Sequence, residues 1–149
     1  MAQSVVLHKI LNVREEEKNN AQKEKAKATD RFEEMARNLY AVLKKKEQAE
    51  ESFHHVMRDE ATITKIKEQS LYIESLNKKI ALLQHKVNQA RKQLEAKQEE
   101  LTEAHVEVKK IEKMIDKREQ DKRDHERKLD MAEMDEISIR QFMMHVQNG

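Results

Sequence analysis

The sequence predicts an all-α protein, two long helices folded into an antiparallel coiled-coil hairpin with the second helix overhanging the first. The leading observation is a seven-residue repeat. From Ile66 to Ile115 every seventh position is a branched aliphatic: Ile66, Ile73, Ile80, Val87, Leu94, Leu101, Val108 and Ile115. Shifting the frame by three gives Leu76, Leu83, Ala90, Ala104 and Ile111, interrupted by Gln69 and Lys97. Apolar residues at these a and d positions give a helix one narrow stripe that water leaves only when another helix covers it. A period held at seven predicts a left-handed supercoil.

Composition is the second observation. Of 149 residues 40% are charged and only 3% aromatic, with one Gly and no Pro, so a compact enzyme core with loops around a cleft is excluded. In-register apolar residues separate this chain from a disordered one of similar charge. The net charge of +1 sets up no field that would draw nucleic acid or an anionic membrane. Cysteine is absent, so neither disulfides nor thiolate chemistry enter. The apolar run in MAQSVVLHKILNV is too short and interrupted for a signal peptide or a membrane span. The expectation is a soluble, cytoplasmic chain forming one elongated domain over residues 1–149.

Helix 1 is expected over about residues 4–57. Its seam starts at Leu7 and Leu11, weakens through Arg14, Lys18, Ala21, Lys25 and Ala28, and recovers at Phe32, Met35, Leu39 and Val42. It lapses at Lys46 and closes with Ala49, Phe53 and Val56. The long stems of the seam cations can snorkel, weakening the pairing without forbidding it. At Met57–Ile66 the register breaks, and Asp59, Thr62 and Thr64 can each cap a new helix. That places a hairpin tip at about 58–63, against the alternative of one unbroken rod that dimerises.

Length, the third observation, favours the hairpin. Folded near residue 60, helix 1 runs out beside roughly residue 115, where the heptads of helix 2 also fail. The paired part would be ~80 Å long at ~1.5 Å per residue. Helix 2 is expected over about 64–130, followed by an amphipathic tail at 131–147. There Ile139, Phe142, Met143 and Val146 share a face, and Ser138 with Gln141 forms a capping box expected to restart the helix after a frayed link. The tail either folds back on Val5–Leu11 or finds an outside partner.

Chemistry is scarce. The seven His are scattered, with no pair at the i, i+4 spacing of a helical metal site. The only Gly is the last residue, so there is no phosphate-binding loop. Lys44-Lys45-Lys46 lacks interleaved aromatics, and the carboxylates lie beside Lys on solvated faces. No catalytic, cofactor-binding or metal-binding residue is expected, nor nucleic acid, nor direct membrane insertion.

The runs KQEELTEAHVEVKKIEKM (residues 97–114) and MAEMDEISIRQFM (residues 131–143) resemble the flagellar type III export protein FliJ family, in the form found in Bacillus-like bacteria. These blocks cover about a fifth of the chain, and LHKILNVREEEKN and RNLYAVLKKKEQ agree with them. The resemblance implies a non-enzymatic antiparallel coiled coil, similar to the central stalk of rotary ATPases. It would be cytoplasmic and peripheral at the inner face of the cell membrane, at the flagellar base. The implied partners are the hexameric export ATPase FliI, whose assembly and activity it promotes, the export gate protein FlhA, and export chaperones.

For the FlhA contact the matching positions are Asn38, Val42, Tyr72 and Leu76. The family's other aromatic positions on helix 1 correspond here to Lys45 and Ala49, and Val42 and Leu76 also lie on the seam. By analogy to the stalk, the end bearing both termini enters the ATPase ring. Arg118, Arg123 and Arg127 make weak, reorientable contacts there, and Ile139, Phe142 and Met143 supply affinity. A generic coiled-coil scaffold or a prefoldin-like chaperone is the alternative. Prefoldin, however, needs tip β-hairpins for which RDEATITK is too short, and a parallel dimeric scaffold would keep one register through residue 60.

The register makes Lys97 a d-position residue, which specifies pairing at a cost in stability. Lys97→Leu should therefore raise the thermal midpoint. A lowered midpoint would mean that the register is off by at least one residue.

Overall fold

The computed structural model describes residues 2–58 and 62–148. Two helices make up the fold, α1 from Ala2 to Arg58 and α2 from Ile63 to Asn148, and they pack against each other. No strand occurs among the described residues. The all-α hairpin predicted from the heptads is what the chain adopts. By their contacts the residues group into two units, Lys18–Glu103 and Met1–Glu17 with Ala104–Gly149.

Thr62 starts the second helix. Its Oγ1 accepts a hydrogen bond from the Lys65 N–H at 3.4 Å, and its carbonyl accepts from the Ile66 N–H at 3.2 Å. A threonine outside the helix whose side chain reaches the third helical N–H is an N-cap, satisfying a donor that the helix leaves orphaned. Of the three candidate caps, Thr64 lies inside the first turn and Asp59 falls outside the described residues. At the other side of the tip, His55 and Arg58 occupy the last turn of α1, where cations complement the carbonyl end of the dipole.

In the unit Lys18–Glu103, burial follows the repeat residue by residue. Leu76, Ile80, Val87 and Ala90 are buried on α2, with Ile66, Gln69, Ile73, Leu83, Leu94, Lys97 and Leu101 half-buried and every other α2 residue of the unit exposed. On α1 the covered positions are the expected Lys18, Ala21, Lys25, Ala28, Phe32, Met35, Leu39, Val42, Lys46, Ala49, Phe53 and Val56, joined by Thr29 and Ala36. Arg31 and Met35 line one crevice with Lys86, Ala90 and Gln93, while Ala49 and Ser52 line another with Gln69 and Tyr72. Numbers that rise along α1 meet numbers that fall along α2, which is antiparallel pairing. The Arg91 guanidinium stacks 5.8 Å from the centre of the Phe32 ring, tying the helices by a cation–π contact.

Seam cations sit there by reaching out. Lys97 Nζ lies 3.3 Å from Glu100 and Lys46 Nζ 3.8 Å from Glu50, each an acid one turn along the same helix. Their methylenes cover the seam while the charge stays in water. Such exposed pairs contribute only tenths of a kcal/mol, so they permit the cation rather than stabilise the fold.

In the other unit, Leu7 packs where Val108 and Ile115 are buried, with Ile10, Leu11, Ala104 and Ile111 half-buried. Arg14 follows the same snorkelling rule toward Glu17 at 3.1 Å, but its Nε is left buried without a hydrogen-bond partner. An arginine fork has more donors than a seam edge can satisfy. From Asp116 to Asn148 every α2 residue is exposed.

One sequence expectation is overturned. No frayed link precedes the tail: α2 is unbroken to Asn148, so Ser138 and Gln141 lie inside a helix and cap nothing. Polarity alone does not end a helix. The stretch after Ile115 has no Gly or Pro, and its Lys, Arg, Glu and Gln are strong helix formers.

Leu76, at 2% exposure, should lose ~2–4 kcal/mol on replacement by Ala, and half-buried Leu83 less, in denaturant titrations. Equal losses at both would contradict the burial pattern. Thr62→Ala should cost ~1 kcal/mol and Thr64→Ala near nothing, which separates the cap from its neighbour.

Candidate partner-binding surfaces

A two-helix seam is only one residue deep, so the chain has no enclosed interior in which to build chemistry. Among the described residues no group of His, Cys, Asp and Glu is placed to hold a metal ion. The crevices are shallow and lie between neighbouring side chains of the seam edge. What the fold offers is surface, and the informative surface is apolar side chain that the seam leaves in water.

The first such surface lies mid-hairpin. Of the four residues assigned there, Leu76 is buried and Val42 half-buried in the seam, whereas Asn38 and Tyr72 are exposed. Tyr72 shares its groove with Lys45, Gln48, Ala49, Ser52 and Gln69, so its ring stands beside the two positions, Lys45 and Ala49, where the resemblance expects aromatics. Its backbone carbonyl accepts a hydrogen bond from Ser75 Oγ at 2.7 Å. Sequence reasoning missed a second candidate on α1: Tyr40 and Leu43 are exposed one turn apart, with Ala36 half-buried a turn earlier. The seam stripe at Leu39 and Val42 masked them, because neighbouring residues on a helix face different ways.

The second surface is where α1 begins. Arg118 donates from a guanidinium nitrogen to Gln3 Oε1 at 3.1 Å, the contact beyond which α2 runs alone. Around it Gln3, Ser4, Val5, Leu7, Ile115, Glu119 and Lys122 form a groove of mixed polarity. On α1, Val6, Ile10 and Val13 make a small apolar patch edged by Lys9 and Arg14. Its spacing of four and three, one residue before the seam stripe, was the signal available in the sequence.

The third surface is the tail. Arg123 and Arg127 are exposed, and so are Ile139, Phe142, Met143 and Val146. On the opposite side Met134, Ile137 and Met144 are exposed as well. The tail does not lie back on Val5–Leu11. The tail is therefore a helix apolar on two sides and covered on neither. Among the described residues no helix is long and apolar enough to cross a membrane.

Because the overhang contributes nothing to the seam, Phe142→Ala and Met143→Ala should leave the melting midpoint of a dilute sample unchanged within error, whereas Ile115→Ala should cost at least ~2 kcal/mol. A comparable loss from all three would show that the tail is packed against its own chain.

Comparison with known proteins follows the same elements. The family model described as "Flagellar FliJ protein" matches residues 3–147. A protein of Bacillus subtilis (strain 168) described by the same words is 33% identical over 144 residues, which covers 97% of this chain and 98% of that protein. No solved structure matches.

Proposed function

Since this chain belongs to the flagellar FliJ protein family, a family of flagellar export components, we propose that it works as a non-enzymatic stalk in type III export. In this reading it binds the hexameric export ATPase FliI and raises its activity, and it also engages the export gate protein FlhA and export chaperones at the inner face of the membrane. The observation that carries the reading is the bare end of α2. A helix exposed on every side from Asp116 to Asn148, and apolar on two of them, fits insertion into a ring that surrounds it better than docking on a flat surface.

The charges support the same assignment. Residues 118–128 carry five basic side chains (Arg118, Lys122, Arg123, Arg127, Lys128) against four acidic ones (Glu119, Asp121, Asp124, Glu126). Alternating sign on a bare helix gives weak contacts that can be remade as the surroundings move, while one sign against a complementary pore would lock it. Ile139, Phe142 and Met143 then supply the affinity that the charged stretch lacks. For the gate, exposed Asn38 and Tyr72 are the contact residues. Val42 and Leu76 act through the seam that holds them, since a side chain as buried as Leu76 cannot reach a partner without the helices parting.

Removing residues 131–149 tests the ATPase reading. The truncated chain should keep its helical signal and melting midpoint and lose stimulation of a FliI-type ATPase. Full stimulation by the truncated chain discards the reading. Tyr72→Ala should weaken binding to the gate protein and leave ATPase stimulation intact.

A further inference from the structure

The exposed stripe of the tail keeps the phase of the seam. Continuing the four-and-three spacing from Val108, Ile111 and Ile115 leads through Arg118, Lys122 and His125 to Leu129, Ala132, Glu136, Ile139, Met143 and Val146. The overhang therefore carries a coiled-coil stripe that α1 does not cover, since α1 begins beside Arg118, where Gln3 meets it. Among the described residues no further helix covers it. We infer that the α2 overhangs of two copies pair antiparallel with each other, each lying along its partner in the place that α1 vacates.

One register satisfies the stripe. In an antiparallel coil a positions face d positions, and Leu129 of one copy then meets Ile139 of the other, His125 meets Met143, and Ala132 meets Glu136, each pair occurring twice by symmetry. On the flank Glu126 faces Arg140, also twice, an opposite-charge pairing at the positions that set partner choice. From Glu119 to Asn148 the overhang is ~45 Å long, and a helix face ~10 Å wide gives ~450 Å² from each copy. The total of ~900 Å² lies at the lower edge of specific interfaces, which fits a reversible dimer in the micromolar range.

The acidic residues fix the sign of its salt dependence. Glu133 and Asp135 lie at the middle of the pairing and face their own symmetry mates, and Glu136 lies within about a turn of its own. Like charges at close range oppose association and are screened by salt, so this dimer tightens as ionic strength rises. Association driven by attraction between opposite charges would do the reverse. The pairing also covers Ile139 and Met143, so a dimerised chain has no free tail to offer an ATPase ring.

Sedimentation equilibrium from about 1 to about 200 μM, in about 0.15 and 0.5 M salt, reads this directly on the full chain. Wild type should show a monomer–dimer equilibrium that strengthens with salt. Glu136→Leu, which removes two central charges per dimer, should tighten it at least about tenfold, and Ile139→Asp with Met143→Asp should leave a monomer of unchanged helicity. The chain has no Cys of its own. Mixing a Leu129→Cys chain with an Ile139→Cys chain should therefore give the mixed disulfide in preference to either homodimer. A Glu136→Leu chain that stays monomeric throughout, or homodisulfides that outnumber the mixed one, would overturn the inference. Neither readout involves the ATPase, so this pairing and the export reading stand or fall separately.

Discussion

Everything in this molecule depends on one apolar stripe on α2 that a single neighbouring helix must cover. With no enclosed core, the stripe supplies the cooperativity that a globular protein draws from many layers. The covering residues on α1 are a weaker match, with lysines and alanines where α2 presents leucine, isoleucine and valine. The chain tolerates this because Lys46, Lys97 and Arg14 lay their stems along the seam and carry their charges to an acid one turn away on the same helix. Specificity of register and modest stability follow from the same substitutions.

Function follows from what a one-residue-deep seam cannot hold. Among the described residues the crevices between the helices are shallow and lined mostly by exposed polar side chains at the seam edge. The surfaces left for partners are exposed apolar side chains at three places: around Tyr72, at the start of α1, and along the tail. Of the five aromatics, Phe32 and Phe53 serve the seam, while Tyr40, Tyr72 and Phe142 face water. In a chain so poor in aromatics that division separates rings covered by the seam from rings left in water.

The overhang joins the two roles. Its stripe is written in the same code as the seam, so the two occupants proposed for it, a helix of another copy and the wall of a ring, would exclude each other. The Lys, Arg, Glu and Gln between Arg118 and Lys128 favour a helix and keep the segment hydrated. In the proposed self-pairing, acidic residues at the middle of the stripe oppose association. A strand bare of such charges would hide the tail permanently.

Periodicity by itself determined two paired helices, most of the seam, and the place where pairing ends, because a stripe with a period of seven leaves water only where another helix covers it. The family too was legible, from two blocks whose residues are not heptad filler, 97–114 and 131–143. Tertiary structure decided what the period leaves open. It chose Thr62 over Thr64 as the cap, since only a side chain outside the helix can reach the third N–H. It carried α2 through Ser138 without a break, because helix formers propagate a helix whether or not anything covers it. It also showed that Leu76 is closed to partners while Tyr72 is open to them, which follows from the direction of each side chain across the seam.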